Sequence, residues 1–335
     1  MTVRRWLAWC VVAAGLFTAA AVALELTLET RDAAAVRSVS TMARIGKANV
    51  RYELTGSGAD KPLVVLLNGF AGTLEQWRYA APFLTPDFRV LRYDRGGMGY
   101  SDASDNRLRD QVAELLGLLD TLGERRPVLL VGYSTAAAEV RQFMVQHPER
   151  VAGSILLAPY LPEIETVGIV GQHGTVRNLS RTILTSLVCS VLGVYRLRDA
   201  LRPVRSDNAE FLRSAMLLRS YWHWRAVLGE LIVHSETDSL QLHGPRLTRP
   251  AVLLEEQLSP DRDTSFVRGY RQSIAEFLAT GDSLRMVPLP AIPHWQQVED
   301  SSALQVLKDA LLSLPRCAAD CARPSPHATT ALHRH

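Results

Sequence analysis

Short, largely apolar runs recur through the chain, at 63–67, 90–93 after Phe88, 128–131, 155–157, 252–254 and 286–289. A strand with one wet face alternates apolar and polar residues, whereas a run that is apolar at nearly every position suits a strand covered on both faces. Between the runs lie helix-period patterns, clearest in Val112, Leu115, Leu116, Leu119 and Leu122. Intervening helices supply the crossovers that parallel pairing requires. The pattern predicts an α/β fold, a mostly parallel sheet with helices on both faces. Earlier, Val50, Tyr52 and Leu54 alternate with polar neighbours as in a half-buried strand, and Thr55-Gly56-Ser57-Gly58 reads as a turn.

One interval breaks the rhythm. About ninety residues separate Pro159 from Pro250, too many for a simple crossover and too apolar for a loop. Residues 178–201 and 207–233 read as helices, the second opening with a capping box of Asp207 and Glu210. This predicts a helical cap inserted over the C-terminal edge of the sheet, where ligand sites of α/β folds lie. Tyr221, Trp222 and Trp224 in it would line an apolar pocket or pack the cap on the core.

The N-terminus is built differently. Arg4 and Arg5 precede 19 uncharged residues, 6–24, and Glu25 ends the run. A basic leader before an apolar stretch is an export signal or a membrane anchor; Ala21-Val22-Ala23 matches a cleavage site, and the length also suffices to span a bilayer. Either reading places the body of the protein outside the cytoplasm, periplasmic, extracellular or anchored to the membrane through residues 6–24. A net charge of +3, with arginines spread along the chain, gives no electrostatic case for nucleic acid. Cys317 and Cys321 could close a small disulfide loop, Cys189 reads as a buried apolar residue, and no pair has zinc-site spacing.

The segment that carries chemistry is Val128-Leu129-Leu130-Val131-Gly132-Tyr133-Ser134-Thr135-Ala136, followed by a helical pattern over 137–146. A buried strand turns sharply into a helix with a serine at the apex, near a helix N-terminus whose partial positive charge favours developing negative charge. The segment resembles the nucleophile elbow, G-x-S-x-G, of the α/β-hydrolase family, and the likeness extends over about 50–314. Gly132 and Ser134 match. Ala136 replaces the last glycine, adding one methyl, so a preserved turn with slight strain is expected. Asn68-Gly69-Phe70 stands where the family usually shows His-Gly and an oxyanion-hole residue, and Asp94-Arg95-Gly96-Gly97-Met98-Gly99-Tyr100-Ser101 is similar to a structural turn of the family. By position, the resemblance implies backbone N–H donors at Phe70 and Thr135.

A serine needs a base, and histidine has the suitable pKa. Of nine histidines, His294 follows the last strand pattern in Pro290-Ala291-Ile292-Pro293-His294-Trp295 and precedes a helical pattern over 297–314, matching the family's catalytic-histidine loop. The family's acid follows the strand after the cap, and there the expected position falls on Ser259. Asp261 is taken first and Asp263 as its alternative; Glu256, and Glu163 or Glu165 after the earlier strand, stay open.

The resemblance implies a serine hydrolase with a Ser-His-acid triad and acyl-enzyme, acting on a small, uncharged, apolar carboxylic ester or related acyl compound, without cofactor or metal. A same-fold aminopeptidase, lactonase or cofactor-free haloperoxidase would share the motifs, and a noncatalytic binding protein would keep the fold. Serine at the elbow sets the chain apart from family members such as epoxide hydrolases and dehalogenases, which use aspartate there. The expected division is leader or anchor 1–24, connecting segment 25–49, core 50–160, cap 161–249, core 250–314 and a disordered tail 315–335.

Overall fold

The structure, a computed structural model, describes residues 3–102, 104, 108–159, 173–206, 208–236, 246–257, 267, 270–272, 274–276, 279, 281 and 283–315. Ser259, Asp261, Asp263, Glu163, Glu165, Asp207, Cys317 and Cys321 lie outside the described residues.

Eight strands form one sheet in the order β1-β2-β4-β3-β5-β6-β7-β8. They are β1 (Thr41–Ile45), β2 (Ala48–Thr55), β3 (Leu63–Leu67), β4 (Arg89–Tyr93), β5 (Val128–Tyr133), β6 (Val151–Leu157), β7 (Ala251–Glu255) and β8 (Leu284–Pro288). The pairs β1/β2 and β2/β4 are antiparallel; from β4 to β8 the sheet is parallel.

The run in β3 shows why the central strands read as continuously apolar. Leu63, Val65 and Leu67 enter a core on one face, with Val112, Leu115 and Leu119 of α3 (Leu108–Thr121) and Val140 and Phe143 of α4 (Ala137–Gln146). Val64 and Leu66 enter the other, with Leu84 of α2 (Ala80–Leu84) and Leu304, Leu307 and Leu311 of a C-terminal helix, Ser301–Leu312. Full burial of each such side chain is worth roughly 1.5–3 kcal/mol.

Between β6 and β7 the cap comprises α5 (His173–Val191), α6 (Val194–Leu201), α7 (Ala209–Leu217) and α8 (Tyr221–Glu236). The single helix expected over 178–201 is broken at Gly193, whose φ of 71° is left-handed. The helix expected from Asp207 is instead capped by Asn208, whose Oδ1 accepts from the N–H of Glu210 and Phe211, and Leu218, Arg219 and Ser220 divide it. The C-terminal helix, α9 (Ser301–Leu312), starts later than its pattern suggested because Asp300 caps it.

The connecting segment expected over 25–49 is structured throughout. α1 (Val3–Ser38) runs without a break through the proposed cleavage site, and β1 and the start of β2 follow it. Exposed apolar side chains cover α1 from Trp6 to Leu24. Beyond them, Glu25 and Asp32 pair with Arg196 of α6 at 2.9 Å each, and Arg37 pairs with Asp102 at 3.0 Å.

Candidate active site

β5 ends at Tyr133 and α4 begins at Ala137, leaving Ser134–Ala136 to turn the chain in a single 3-10 turn. The reversal is concentrated at Ser134, whose φ is 53°, a left-handed conformation that costs a non-glycine residue about 1–2 kcal/mol. A Cβ at Gly132 would lie 2.6 Å from Val140 Cγ2 and 2.9 Å from the Ala136 carbonyl oxygen, so glycine is required there by close approach. Ala136 has ordinary helical angles, φ −65° and ψ −9°. The left-handed backbone of the turn falls on Ser134 and not on Ala136.

The loop after β3 meets the elbow closely: a Cβ at Gly69 would stand 3.3 Å from Ser134 Cβ and 3.0 Å from Tyr133 Cδ1. This contact brings the following residue, Phe70, to the neighbourhood of Ser134, while Thr135 adjoins Ser134 in the chain. Several buried groups hold the loop. Gln76 Oε1 accepts the Gly69 N–H at 2.9 Å, and Asn68 Nδ2 donates to the Tyr93 carbonyl at 2.7 Å. Arg95 donates from Nη1 to the Asn68 carbonyl at 2.7 Å and from Nη2 to the Gly69 carbonyl at 3.0 Å. From the cap, Glu230 of α8 accepts the Ala71 N–H at 2.9 Å and an Arg95 Nη2–H at 2.6 Å. Asn68, which stands at the family's usual histidine, is thus a completely buried tie between strand ends.

The turn after β4 is a brace. The Asp94 carboxylate accepts the N–H groups of Leu74 and Tyr100 at 2.8 and 3.0 Å and pairs with Arg51 at 3.2 Å. Complete burial pushes its pKa up to about 6 despite the nearby arginine.

His294 begins a 3-10 turn, His294–Gln296, after β8. Its Nδ1 lies 2.7 Å from Glu256 Oε2, the residue immediately after β7. Two further contacts fix the imidazole. Its ring stacks on Tyr133, with centroids 5.0 Å apart and planes inclined by 24°, and the Tyr133 hydroxyl donates to the His294 carbonyl at 2.7 Å. Ser134 is the next residue in the chain, so the elbow and the His294–Glu256 pair share one end of the sheet.

Glu256 therefore meets the histidine, and the first-taken Asp261 and its alternative Asp263 fall outside the described residues. Tyr133, Arg95 and Glu230 are supporting residues that the motifs did not single out. The only available sequence signal was the presence of Tyr133 and Arg95 inside motif segments.

Over the loop, Phe70 and Ala71 pack with Met98, Ile183, Val227 and Trp224, an apolar cluster joining the loop to the cap. Trp222, by contrast, is half exposed. A cavity of about 710 Å³ opens between α1, the turn after β4 and the cap, lined among others by Glu29, Arg37, Tyr100, Met216 and Trp222. Ser134 and His294 are not in its lining, so it is separate from the candidate reacting groups.

Residues 62–175 match the family described as alpha/beta hydrolase fold. Epoxide hydrolase B of Mycobacterium tuberculosis is 31% identical over 120 residues, 34% of this chain and 32% of the relative. Pyrrolizixenacetamide deacetylase of Xenorhabdus hominickii is 32% identical over 122 residues, 35% of this chain and 44% of the relative. The chain thus spans 32% and 44% of the length of these two relatives. Among solved structures, a hydrolase from Pseudomonas aeruginosa PA01 superposes with a TM-score of 0.56 at 24% identity, covering 82% of this chain and 97% of that one. The enol-lactonase from Burkholderia xenovorans LB400 gives 0.55 at 21% identity, covering 81% and 100%. The chain has the alpha/beta hydrolase fold, and its residues 62–175 are similar to the family of that description.

Proposed function

We propose that the protein is a serine hydrolase of carboxylic esters or related acyl compounds. The observation that carries this reading is Ser134 held at φ 53° at the elbow, on the sheet end where His294 Nδ1 and Glu256 are 2.7 Å apart. Ser134 Oγ attacks the carbonyl carbon while His294 Nε2 takes its proton, and Glu256 holds the imidazole in the tautomer that leaves Nε2 free to accept and stabilises the imidazolium. The N–H groups of Phe70 and Thr135 receive the developing oxyanion. His294 returns the proton to the leaving alcohol. Water, activated by the same imidazole, then releases the acid from Ser134.

The departures from the family pattern do not favour a noncatalytic protein. Asn68 is accommodated in a buried hydrogen bond, and Ala136 fits its helical geometry. Likeness to an epoxide hydrolase is set against the serine at the elbow, which supports acyl transfer instead. The apolar cluster of Phe70, Met98, Val227 and Trp224 favours an uncharged, apolar substrate portion.

Export or membrane tethering through residues 6–24 belongs to the same proposal. The tethered form is supported by the continuity of α1 across the 21–23 site and by the ion pairs that dock its second half on α6. A fluorophosphonate probe tests the chemistry. Stoichiometric labelling that maps to Ser134 and is lost in Ser134→Ala is expected; absence of labelling in folded protein overturns the reading.

A further inference from the structure

The two cap helices beside α1 turn apolar side chains outward and polar ones inward, fully in α6 and in part in α5, whose Ile183 stays in the apolar cluster with Met98 and Val227. A cap helix bathed in water turns its apolar stripe inward and its polar face outward. In α5, Ser186 and Ser190 are buried, with Ser190 Oγ donating to the Ser186 carbonyl at 2.8 Å and the Tyr195 hydroxyl donating to Ser186 Oγ at 3.0 Å. Leu184 and Val188, four residues apart on the opposite side, face outward.

In α6 the inversion is sharper. Asp199 is buried and pairs with Arg219 at 2.6 Å, and Arg196 faces α1 to meet Glu25 and Asp32. The outward stripe is Val194, Leu197 and Leu201, spaced i, i+3, i+7, with Leu197 62% and Leu201 74% exposed. Arg198 and Arg202 flank it, both exposed.

What covers this stripe follows from its position along α1. Residues 6–24 form 19 uncharged helical residues, about 28 Å at 1.5 Å per residue, close to the hydrocarbon thickness of a bilayer. Glu25 marks the end of that length, and Arg196 at the start of α6 binds it at 2.9 Å. α6 is therefore pinned at the depth where the membrane surface would be if α1 crosses the bilayer. An interfacial helix needs an outward aliphatic stripe with cationic residues beside it, for the acyl boundary and the anionic headgroups respectively.

From this juxtaposition we infer that the outer face of α5 and α6 rests in the interfacial layer of the bilayer that α1 spans, seating the cap on the membrane. The inference rests on the tethered form of the proposed function. It goes beyond a tether because the cap is then held against the lipid in one orientation.

Site-directed spin labelling of the full-length chain tests it, in nanodiscs of phosphatidylethanolamine and phosphatidylglycerol holding one chain each. Single cysteines are introduced as Leu197→Cys and Leu201→Cys, with Val12→Cys in α1 and Gln305→Cys on α9 as references, in a background whose native cysteines are replaced by alanine. All four positions are exposed, so the substitutions spare the core. From relative accessibility to oxygen and to a water-soluble nickel complex, labels at 197 and 201 should lie roughly 5–10 Å into the headgroup and acyl boundary. Position 12 should be deeper, and position 305 should be in water.

Labels at 197 and 201 as water-exposed as at 305, with 12 still deep, would overturn the inference while leaving the anchor intact. Protection of 197 and 201 only in discs with two chains would assign the face to a second copy and also overturn it. A label at 12 in water would remove the anchor and the inference together. Ester turnover by the same samples reads the hydrolase proposal separately.

Discussion

At the residue scale, the acid of the candidate triad shows how far a sequence pattern reaches. The strand, the elbow serine and the histidine loop were legible because each is tied to a run of neighbours. The acid is tied to none. Counting along the family pattern led past Glu256 to Ser259 and on to Asp261 and Asp263, on the expectation of an aspartate. Glutamate has one more methylene than aspartate and reaches His294 Nδ1 from a position directly after β7, at 2.7 Å. Loss of the orienting carboxylate in a triad typically costs about four orders of magnitude in kcat. Glu256→Gln is accordingly expected to lower kcat on a short p-nitrophenyl ester by about 10³–10⁴. Asp261→Asn and Asp263→Asn should stay near the parent rate. Full activity in Glu256→Gln with a large loss in either aspartate variant would reverse the assignment.

At the scale of elements, buried strands and crossover helices could be read in advance because their signal is local and periodic. The supports of the loop after β3 could not, since they come from β4 and from α8 more than a hundred residues away. Arg95 and Glu230 are both almost completely buried and 2.6 Å apart. Removing Glu230 leaves the buried Arg95 with only the longer 3.7 Å pairing to Glu139 and the Ala71 N–H without its acceptor. Glu230→Ala should therefore destabilise the protein by about 3–5 kcal/mol in urea titration and slow fluorophosphonate labelling of the fraction that stays folded. An unchanged urea midpoint would show that the link between cap and loop is dispensable.

α3 contributes a half-buried carboxylate, Glu114, which accepts the Gly96 N–H at 2.8 Å. Burial pushes its pKa up to about 7, with Glu139 and Asp94 nearby adding to the effect. The folded state keeps this proton longer than the unfolded chain does, so the associated stability is complete below the ordinary carboxylate range and is lost as pH rises through about 7. Glu114→Gln cannot titrate and keeps an acceptor for Gly96. Its stability difference between pH 5 and pH 8 should be smaller than the parent's by on the order of 2 kcal/mol. Equal pH dependence in calorimetry would contradict this.

For the whole molecule, one hydrolase-fold body carries a cap between β6 and β7 and a long helix docked to that cap. The uncharged apolar stretch 6–24 was evident from composition, but the helix that continues beyond it was not. Residues 25–49 read as a connecting segment, whereas Glu25 and Asp32 within it are committed to Arg196. The break at Gly193 was equally hidden, since apolar residues continue on both sides of it and periodicity does not register a change of axis. The structure thus gathers the elbow and the histidine–carboxylate pair at one end of the sheet and binds the cap to α1 elsewhere.

The most direct test of the central claim is the rate of p-nitrophenyl ester hydrolysis by the full-length protein and its Ser134→Ala variant. Turnover by the parent is expected, with a loss of about 10³-fold or more in the variant. No turnover of any acyl ester by folded parent protein, or turnover that survives in Ser134→Ala, would contradict the assignment.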